Sequence, residues 1–236
     1  MLKFTLGVEE TRDYLEHRDP EAASPTTIDA FEGRWFGARS EPRTKIILRN
    51  LKARFDAYPH ALKTLVAWTG MDPQVRTLIC HWHTQLTDPT YRAFAGQYLP
   101  DRLMSATPYV TLDGVVSWVT TTYPGDWQPT TVRQMASKLM STAFQSGLLD
   151  STTEQRRIVV PRVPEEAFTY LMYLLRGIEF EGTLLDNPYL RSVGLEGLLI
   201  EDRLRQNQDV AFRRQGDLID FDWAQPDLET WGAARA

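Results

Sequence analysis

One segment, residues 126–164, constrains the fold more than any other part of the chain, and it reads DWQPTTVRQMASKLMSTAFQSGLLDSTTEQRRIVVPRVP. Between Val132 and Ala143 its apolar residues recur at intervals of three and four, which predicts an amphipathic helix with one buried face. Thr131 and Gln134 have the spacing of a capping box, so we expect Thr131 to cap the start of that helix. Gly147 is placed to end it in a left-handed conformation.

A hairpin with a basic edge is predicted directly after this helix. Leu148 and Leu149 begin one strand, and residues 156–160 return as its partner. A polar tip spans 150–155, with Arg156 and Arg157 at its edge. A short helix, a turn, an amphipathic helix and a two-stranded wing are the outline of a winged helix, a module that commonly docks on duplex DNA. Winged helices also serve as protein-binding modules and as plain structural domains, so those interpretations stay open.

The rest of the chain is predicted to be mainly α-helical. With 236 residues, of which 42% are hydrophobic, it can bury a sizeable core. Helix starts are predicted where a capping residue precedes a proline, as at Ser24–Pro25, Asp72–Pro73 and Asp88–Pro89. Towards the other end, Gly216 lies between two short strand patterns and predicts a closing hairpin.

Two domains are expected from this reading. Residues 1–108 are predicted to form a helical bundle with a helix-turn-helix-like element. Residues 109–236 are predicted to form a winged-helix-like domain with small β-hairpins. Within it, 109–163 holds the helix-turn-helix and the wing, and 164–236 holds further helices and the closing hairpin.

Charge is unevenly distributed along the chain. The formal net charge is -5, whereas proteins that coat DNA indiscriminately are normally basic. Residues 34–54 contain seven basic residues and one acid, while 201–229 contains eight acids and four arginines. Any contact with DNA must therefore come from local basic patches, and the acidic end suits either a basic partner or solvent.

Two groups of candidate DNA-binding residues follow. In a winged helix the second helix enters the major groove, and Gln134 is able there to read a base by a bidentate pair. The wing arginines and the cations of the region around residue 45 are expected to meet phosphate. Around the amphipathic helix and wing the candidates are Thr130, Thr131, Arg133, Gln134, Ser137, Lys138, Arg156 and Arg157. The second group is Arg39, Arg43, Lys45, Arg49 and Lys52, of which the last three are spaced to form one exposed helical ridge.

Two groups of residues have ligand types suited to metal, but neither is expected to bind a metal ion. Cys80, His81 and His83 are a possible cluster, but on one helix these positions do not converge, which favours hydrogen-bonded core histidines. Asp217, Asp220 and Asp222 could hold a divalent ion, yet hydrolysis at such a site usually needs a nearby lysine or a further acid. The last lysine of the chain is Lys138.

Catalysis and membrane insertion are not expected. The chain has no phosphate-binding glycine loop, no HExxH and no GxSxG. We therefore predict a protein that is not an enzyme and has no cofactor, metal or small-molecule substrate. The single cysteine, the missing signal-peptide pattern and the lack of a long apolar run predict a cytoplasmic protein with no membrane contact.

A family resemblance covers most of the chain. WQPTTVRQMASKLMSTAFQSGLL, PRVPEEAFTYLMYLLR, LLDNPYLRSVGLEGLLIEDRL and FRRQGDLIDFDW follow one another from Trp127 onward. Their order resembles that of the BrxA family of bacteriophage-exclusion (BREX) defence clusters. Upstream, TLICHWHTQLTDPTYRAFAGQYLPDRL is similar to the helical segment that precedes the winged helix in that family.

The resemblance implies a small, non-enzymatic, mostly helical protein that binds double-stranded DNA. It implies a role beside other BREX proteins, which block phage replication and mark host DNA by methylation. It supplies no catalytic residues. Two alternatives stay open from the residues: an adaptor in a defence complex that never touches DNA, and a winged-helix transcriptional regulator.

Overall fold

The fold is mainly helical, with two small antiparallel strand pairs, as the sequence predicts. The structure is a computed structural model that describes residues 2–216 and 218–235. Its N-terminal part consists of α1 (Val8–His17), α2 (Thr27–Glu32), α3 (Glu41–Phe55), α4 (Pro59–Ala67) and α5 (Pro73–Thr87).

Side-chain caps are present at two of the five N-terminal helix starts, those of α2 and α5. Asp72 caps α5 by accepting from the backbone N–H groups of Gln74 and Val75, as predicted. The predicted start of the second helix at Ser24 is wrong. Thr26 and Asp29 form a capping box there, while the Ser24 hydroxyl donates to Asp56 Oδ2 at 2.7 Å.

The middle of the chain contains most of the segment 126–164 and the elements that precede it. In order it comprises α6 (Pro89–Ala93), a π-helical turn (Phe94–Tyr98), α7 (Leu99–Leu103), β1 (Tyr109–Thr111), α8 (Leu112–Thr122), α9 (Pro129–Gln145) and β2 (Gln155–Arg157). Asp88 caps α6 through the backbone N–H of Tyr91 at 2.8 Å, again as predicted.

One local prediction in this segment is wrong, and another is confirmed in part. The helix α9 begins at Pro129 with Gln128 at its N-cap and no side-chain capping bond, so Thr131 is not the cap. Proline is favoured at the first helical position because it needs no hydrogen bond for its nitrogen there. The predicted hairpin of 148–149 with 156–160 is confirmed in part. Leu149 bridges Ile158, the Val159 N–H donates to the Leu148 carbonyl at 2.9 Å, and the Asp150 N–H donates to the Arg157 carbonyl at 3.1 Å, while β2 also pairs with β1.

The C-terminal part packs back onto the N-terminal helices. It comprises α10 (Glu165–Arg176), α11 (Pro188–Arg191), α12 (Leu198–Gln206), β3 (Val210–Gln215), β4 (Leu218–Trp223), α13 (Leu228–Gly232) and a 3-10 turn (Ala233–Arg235). The closing hairpin is confirmed: β3 and β4 are antiparallel, and Gly216 has φ of 63° at their turn. Residue 217 of that predicted turn lies outside the described residues.

Two hydrophobic clusters make up the core. One combines the N-terminal helices with the C-terminal part, from Phe4 to Trp231. The other is built from Leu2 and the middle segment, from Tyr91 to Ile158. The middle segment is thus inserted between two chain regions that share one core, and the predicted division into independent domains at residue 108 stays a prediction.

Candidate nucleic-acid interface

The helix α9 carries a buried face and an exposed polar face. Its buried residues belong to the second cluster: Val132, Met135, Ala136, Leu139, Met140 and Ala143. On the opposite side Thr130, Arg133, Gln134 and Ser137 are all exposed. Their spacing places them on one stripe of about 10 Å. Of the six candidates on this helix, the structure thus brings four together and places Thr131 and Lys138 half-buried at the flanks.

Arg133 is the only cation of this stripe within the described residues, and it forms an ion pair. Arg133 Nη1 lies 3.1 Å from Asp113 Oδ1, on α8, and the two side chains are 62% and 86% exposed. Such a solvated pair contributes little stability, so the guanidinium can exchange Asp113 for another anion at small cost.

The wing arginines behave differently from each other. Arg156 is half-buried and donates through Nε to the Thr153 carbonyl at 3.1 Å and through Nη2 to the Thr152 carbonyl at 3.4 Å. Burial lowers the pKa of the Arg156 guanidinium, which ties together the tip of the loop. Arg157 is exposed, and its Nε lies 3.7 Å from Asp150 Oδ2. Only Arg157 of the two is therefore directed outward, and it faces a carboxylate.

The second candidate group lies on and just before α3. Arg39, Arg43, Lys45 and Arg49 are exposed, and we name these four residues the α3 cation group. Arg43 has its guanidinium 5.7 Å from the centre of the Phe4 ring. Among the residues that the structure describes, none of the four forms an ion pair. Lys52 does not continue this ridge, because it is half-buried and its Nζ donates to the Pro25 carbonyl at 3.0 Å.

Comparison with known proteins identifies the family. A sequence model of the BrxA family matches residues 3–173. The chain belongs to the BrxA family. This membership makes it a component of the BREX type of phage-defence system, where other BREX components are its expected partners. All candidate DNA-binding residues lie within the matched segment. Neither the curated proteins nor the solved structures contain a match.

The acidic region beyond the BrxA match is largely occupied by internal contacts. Glu201 is buried and pairs with Arg205 at 2.8 Å and with Arg214. Asp209 accepts from the Trp231 indole at 2.9 Å, and Asp227 caps α13. The charge count of 201–229 therefore overstates the negative charge that is free to attract a basic partner.

The histidines near Cys80 are core residues, as the sequence analysis favoured. His81 lies between the hydroxyls of Tyr91 and Ser192, each at 2.9 Å, and His83 lies 2.7 Å from the Tyr170 hydroxyl. Burial lowers the pKa of His81 to about 3 and that of His83 to about 4, so both rings are neutral at physiological pH. Within residues 2–216 and 218–235, no group of acids, histidines and cysteines is arranged to hold a metal ion.

No helix among the described residues has the length and apolar character needed to cross a bilayer.

One feature of the interface was not predicted. Trp127, immediately before α9, is 49% exposed. Sequence reasoning passed over it because most tryptophans are largely buried. Its position beside the start of α9, whose outward face is polar, was the signal that could have identified it.

Proposed function

We propose that this BrxA-family protein is a non-enzymatic component of a BREX system that binds double-stranded DNA in the cytoplasm. Segment 109–158 acts as a winged helix in this proposal. In support, β1, α8, α9 and β2 follow one another in the order of that module, with β2 between β1 and the bridge at Leu149. In such modules the second helix lies in the major groove and the wing touches the backbone.

The observation that carries the proposal is the exposed stripe of α9. Thr130, Arg133, Gln134 and Ser137 present hydroxyl, guanidinium and amide groups on one side of a helix whose other side is packed into the core. Arginine pairs bidentately with guanine and glutamine with adenine at major-groove edges, so Arg133 and Gln134 are the base-reading candidates.

Phosphate contacts come from the cations around this stripe and from the α3 cation group. Arg157 and the four α3 residues would neutralise about five phosphates, which gives a log–log salt slope of roughly -4.5. The net charge of -5 opposes this binding only weakly at moderate salt, because exposed charges more than about 10 Å from a phosphate are largely screened at 0.1 M ionic strength.

Fluorescence anisotropy with a short labelled duplex at several salt concentrations tests the proposal. The wild-type protein should bind, with affinity falling steeply as salt rises. The double variant Arg133→Ala/Gln134→Ala should bind more weakly and discriminate less between duplex sequences. Arg12→Ala, which removes a half-exposed arginine from α1, is the matched control. A salt-independent response, or equal loss in the control, contradicts the proposal.

A role as a protein-binding adaptor without DNA contact has one observation in its favour. Met104, Val160, Leu198 and Leu199 are 83%, 51%, 74% and 61% exposed. Exposed apolar side chains of this size are common at protein interfaces. The adaptor interpretation becomes the better one if the anisotropy experiment detects no binding to duplex DNA.

A further inference from the structure

Trp127 is set apart from the other tryptophans of the protein. The chain has seven, and the other six are buried or half-buried. Trp82 and Trp231, for example, are at 0% and 2% exposure in the main core. An indole is the largest apolar side chain, and leaving half of it in water forgoes much of the free energy that burial would provide. Its exposure leaves one part of the indole accessible for a contact outside the chain.

The turn before α9 defines where this indole lies. The Trp127 backbone N–H donates to the Gly125 carbonyl at 2.8 Å. A Cβ atom at Gly125 would lie only 2.9 Å from Trp127 Nε1, so the glycine makes room for the indole against the turn. The ring packs in no aromatic pair and under no cation elsewhere in the described chain. It is thus held at the start of α9, one residue before the N-cap Gln128.

The neighbours of Trp127 are polar. Gln128, Thr130, Arg133 and Gln134 are all exposed and can hydrogen-bond or carry charge. A protein partner that matched the indole would have to satisfy this polar surround as well. Duplex DNA does so readily, because its base edges and phosphates accept and donate hydrogen bonds throughout the groove.

We propose that Trp127 reads the C5-methyl group of thymine in the major groove, an inference that rests on the DNA binding proposed above. Among the groups that the four bases display in that groove, this methyl is the apolar one. Gln134 lies seven residues further along, on α9, and suits adenine. The indole and the amide together would therefore favour A·T pairs, one through the thymine methyl and the other through the adenine edge.

A chemical deletion in the DNA isolates this contact. Binding is measured to a duplex of alternating adenine and thymine, and to the same duplex with every thymine replaced by deoxyuridine. The two duplexes have identical hydrogen-bonding edges and differ in the methyl groups alone. The wild-type protein should bind the thymine duplex about fourfold more tightly, the factor that corresponds to burial of one methyl-sized group.

The variants then assign the preference to a residue. Trp127→Ala should bind both duplexes equally, and Trp127→Phe should keep part of the preference. Phe144→Ala is the matched control, since Phe144 is 38% exposed near the other end of the same helix, and it should keep the full preference. Circular dichroism confirms that each variant is folded.

Three results overturn the inference. If Trp127→Ala retains the fourfold preference, another residue senses the methyl, and the proposed DNA binding stands. If the wild-type protein binds both duplexes equally, the indole reads no methyl, and the proposed DNA binding stands. If the wild-type protein binds neither duplex at low salt, the inference and the proposed function fail together.

Discussion

The two cationic regions of the protein differ in what faces their charges. In the α3 cation group, Arg39, Arg43, Lys45 and Arg49 are exposed, and no carboxylate of the described chain pairs with them. Around α9 and the wing, by contrast, Arg133 faces Asp113 and Arg157 faces Asp150, while Arg156 binds the carbonyls of its own loop.

A count of cations therefore does not measure the charge available to a polyanion. A phosphate that meets the α3 group displaces solvent and small ions only. A phosphate that meets Arg133 or Arg157 must also displace a carboxylate and remain near it. We therefore expect α3 to supply salt-dependent affinity, and α9 to supply base contacts whose electrostatic share is small.

The largest expected effect concerns the stability of the folded core that supports both cationic regions. The hydrogen bond between His81, on α5, and Tyr91 links a helix of the first core cluster to the second cluster. Because burial lowers the folded pKa of His81 to about 3 and of His83 to about 4, the unfolded chain takes up protons first as the pH falls. Stability should thus be lost from about pH 6.5 downward, by roughly 2 kcal/mol for each histidine at about pH 5.

Urea unfolding near neutral pH and near pH 5 measures this loss. The variant His81→Gln should show a shallower dependence on pH than the wild-type protein, because one proton-uptake site is gone from the unfolded chain. His17→Gln, which changes an exposed histidine, should retain the wild-type dependence. An unchanged free energy of unfolding across this range would contradict the neutral buried state of the two rings.

The α3 cation group gives the next largest effect. Lys45→Ala/Arg49→Ala should weaken DNA binding roughly tenfold at moderate salt and reduce the magnitude of the log–log salt slope by about 1.8, since two phosphate contacts are lost. Arg12→Ala/Lys63→Ala removes the same charge from α1 and α4 and should change binding much less. Equal effects of the two double variants would show that only net charge matters.

The two adjacent wing arginines should separate stability from binding. Arg156→Ala removes donors to the Thr152 and Thr153 carbonyls and should lower the free energy of unfolding by about 1 kcal/mol, measured by urea denaturation. Arg157→Ala should leave stability within about 0.5 kcal/mol of the wild type, because its exposed pair with Asp150 contributes little, and should weaken DNA binding instead. The reverse assignment would mean that Arg156 leaves its loop to reach the DNA.

The smallest effect is a gain. Asp150→Asn removes the carboxylate that faces Arg157 while keeping an acceptor for the Arg157 backbone N–H, which Asp150 Oδ1 binds at 2.9 Å. Binding to duplex should tighten about threefold at low salt. Asp220→Asn, on the exposed strand β4, is the control for net charge and should have a smaller effect. If both variants gain equally, the ion pair does not restrain Arg157.

Local signals account for the parts of the fold that the sequence predicted well. The capping of α5 by Asp72 and of α6 by Asp88 requires only neighbours within three residues. The buried stripe of α9 follows from helical periodicity alone. The start of α9 was misplaced because two local signals competed, and proline at the first helical position prevailed over the Thr131–Gln134 spacing.

Contacts between distant residues account for the failures at the candidate site. Lys52 is removed from the ridge by the carbonyl of Pro25, which is 27 positions away. Arg133 is paired across a helix–helix packing with Asp113, 20 positions away. Hydrophobic periodicity carries no information about which residues, 20 or more positions apart, form these contacts. The exposure of Trp127 likewise depends on the conformation of the turn before α9, in which the indole lies against Gly125.

Neighbours along the chain account for the helical class, the amphipathic face of α9, the closing hairpin and the uneven distribution of charge. The tertiary fold instead brings α10 to α13 onto the N-terminal core, pairs Glu201 with Arg214, and leaves the α3 cations free for phosphate. The reason is physical: backbone hydrogen bonding and capping are short-range along the chain. The partner of a long charged side chain, in contrast, is set by which surfaces the folded core brings together.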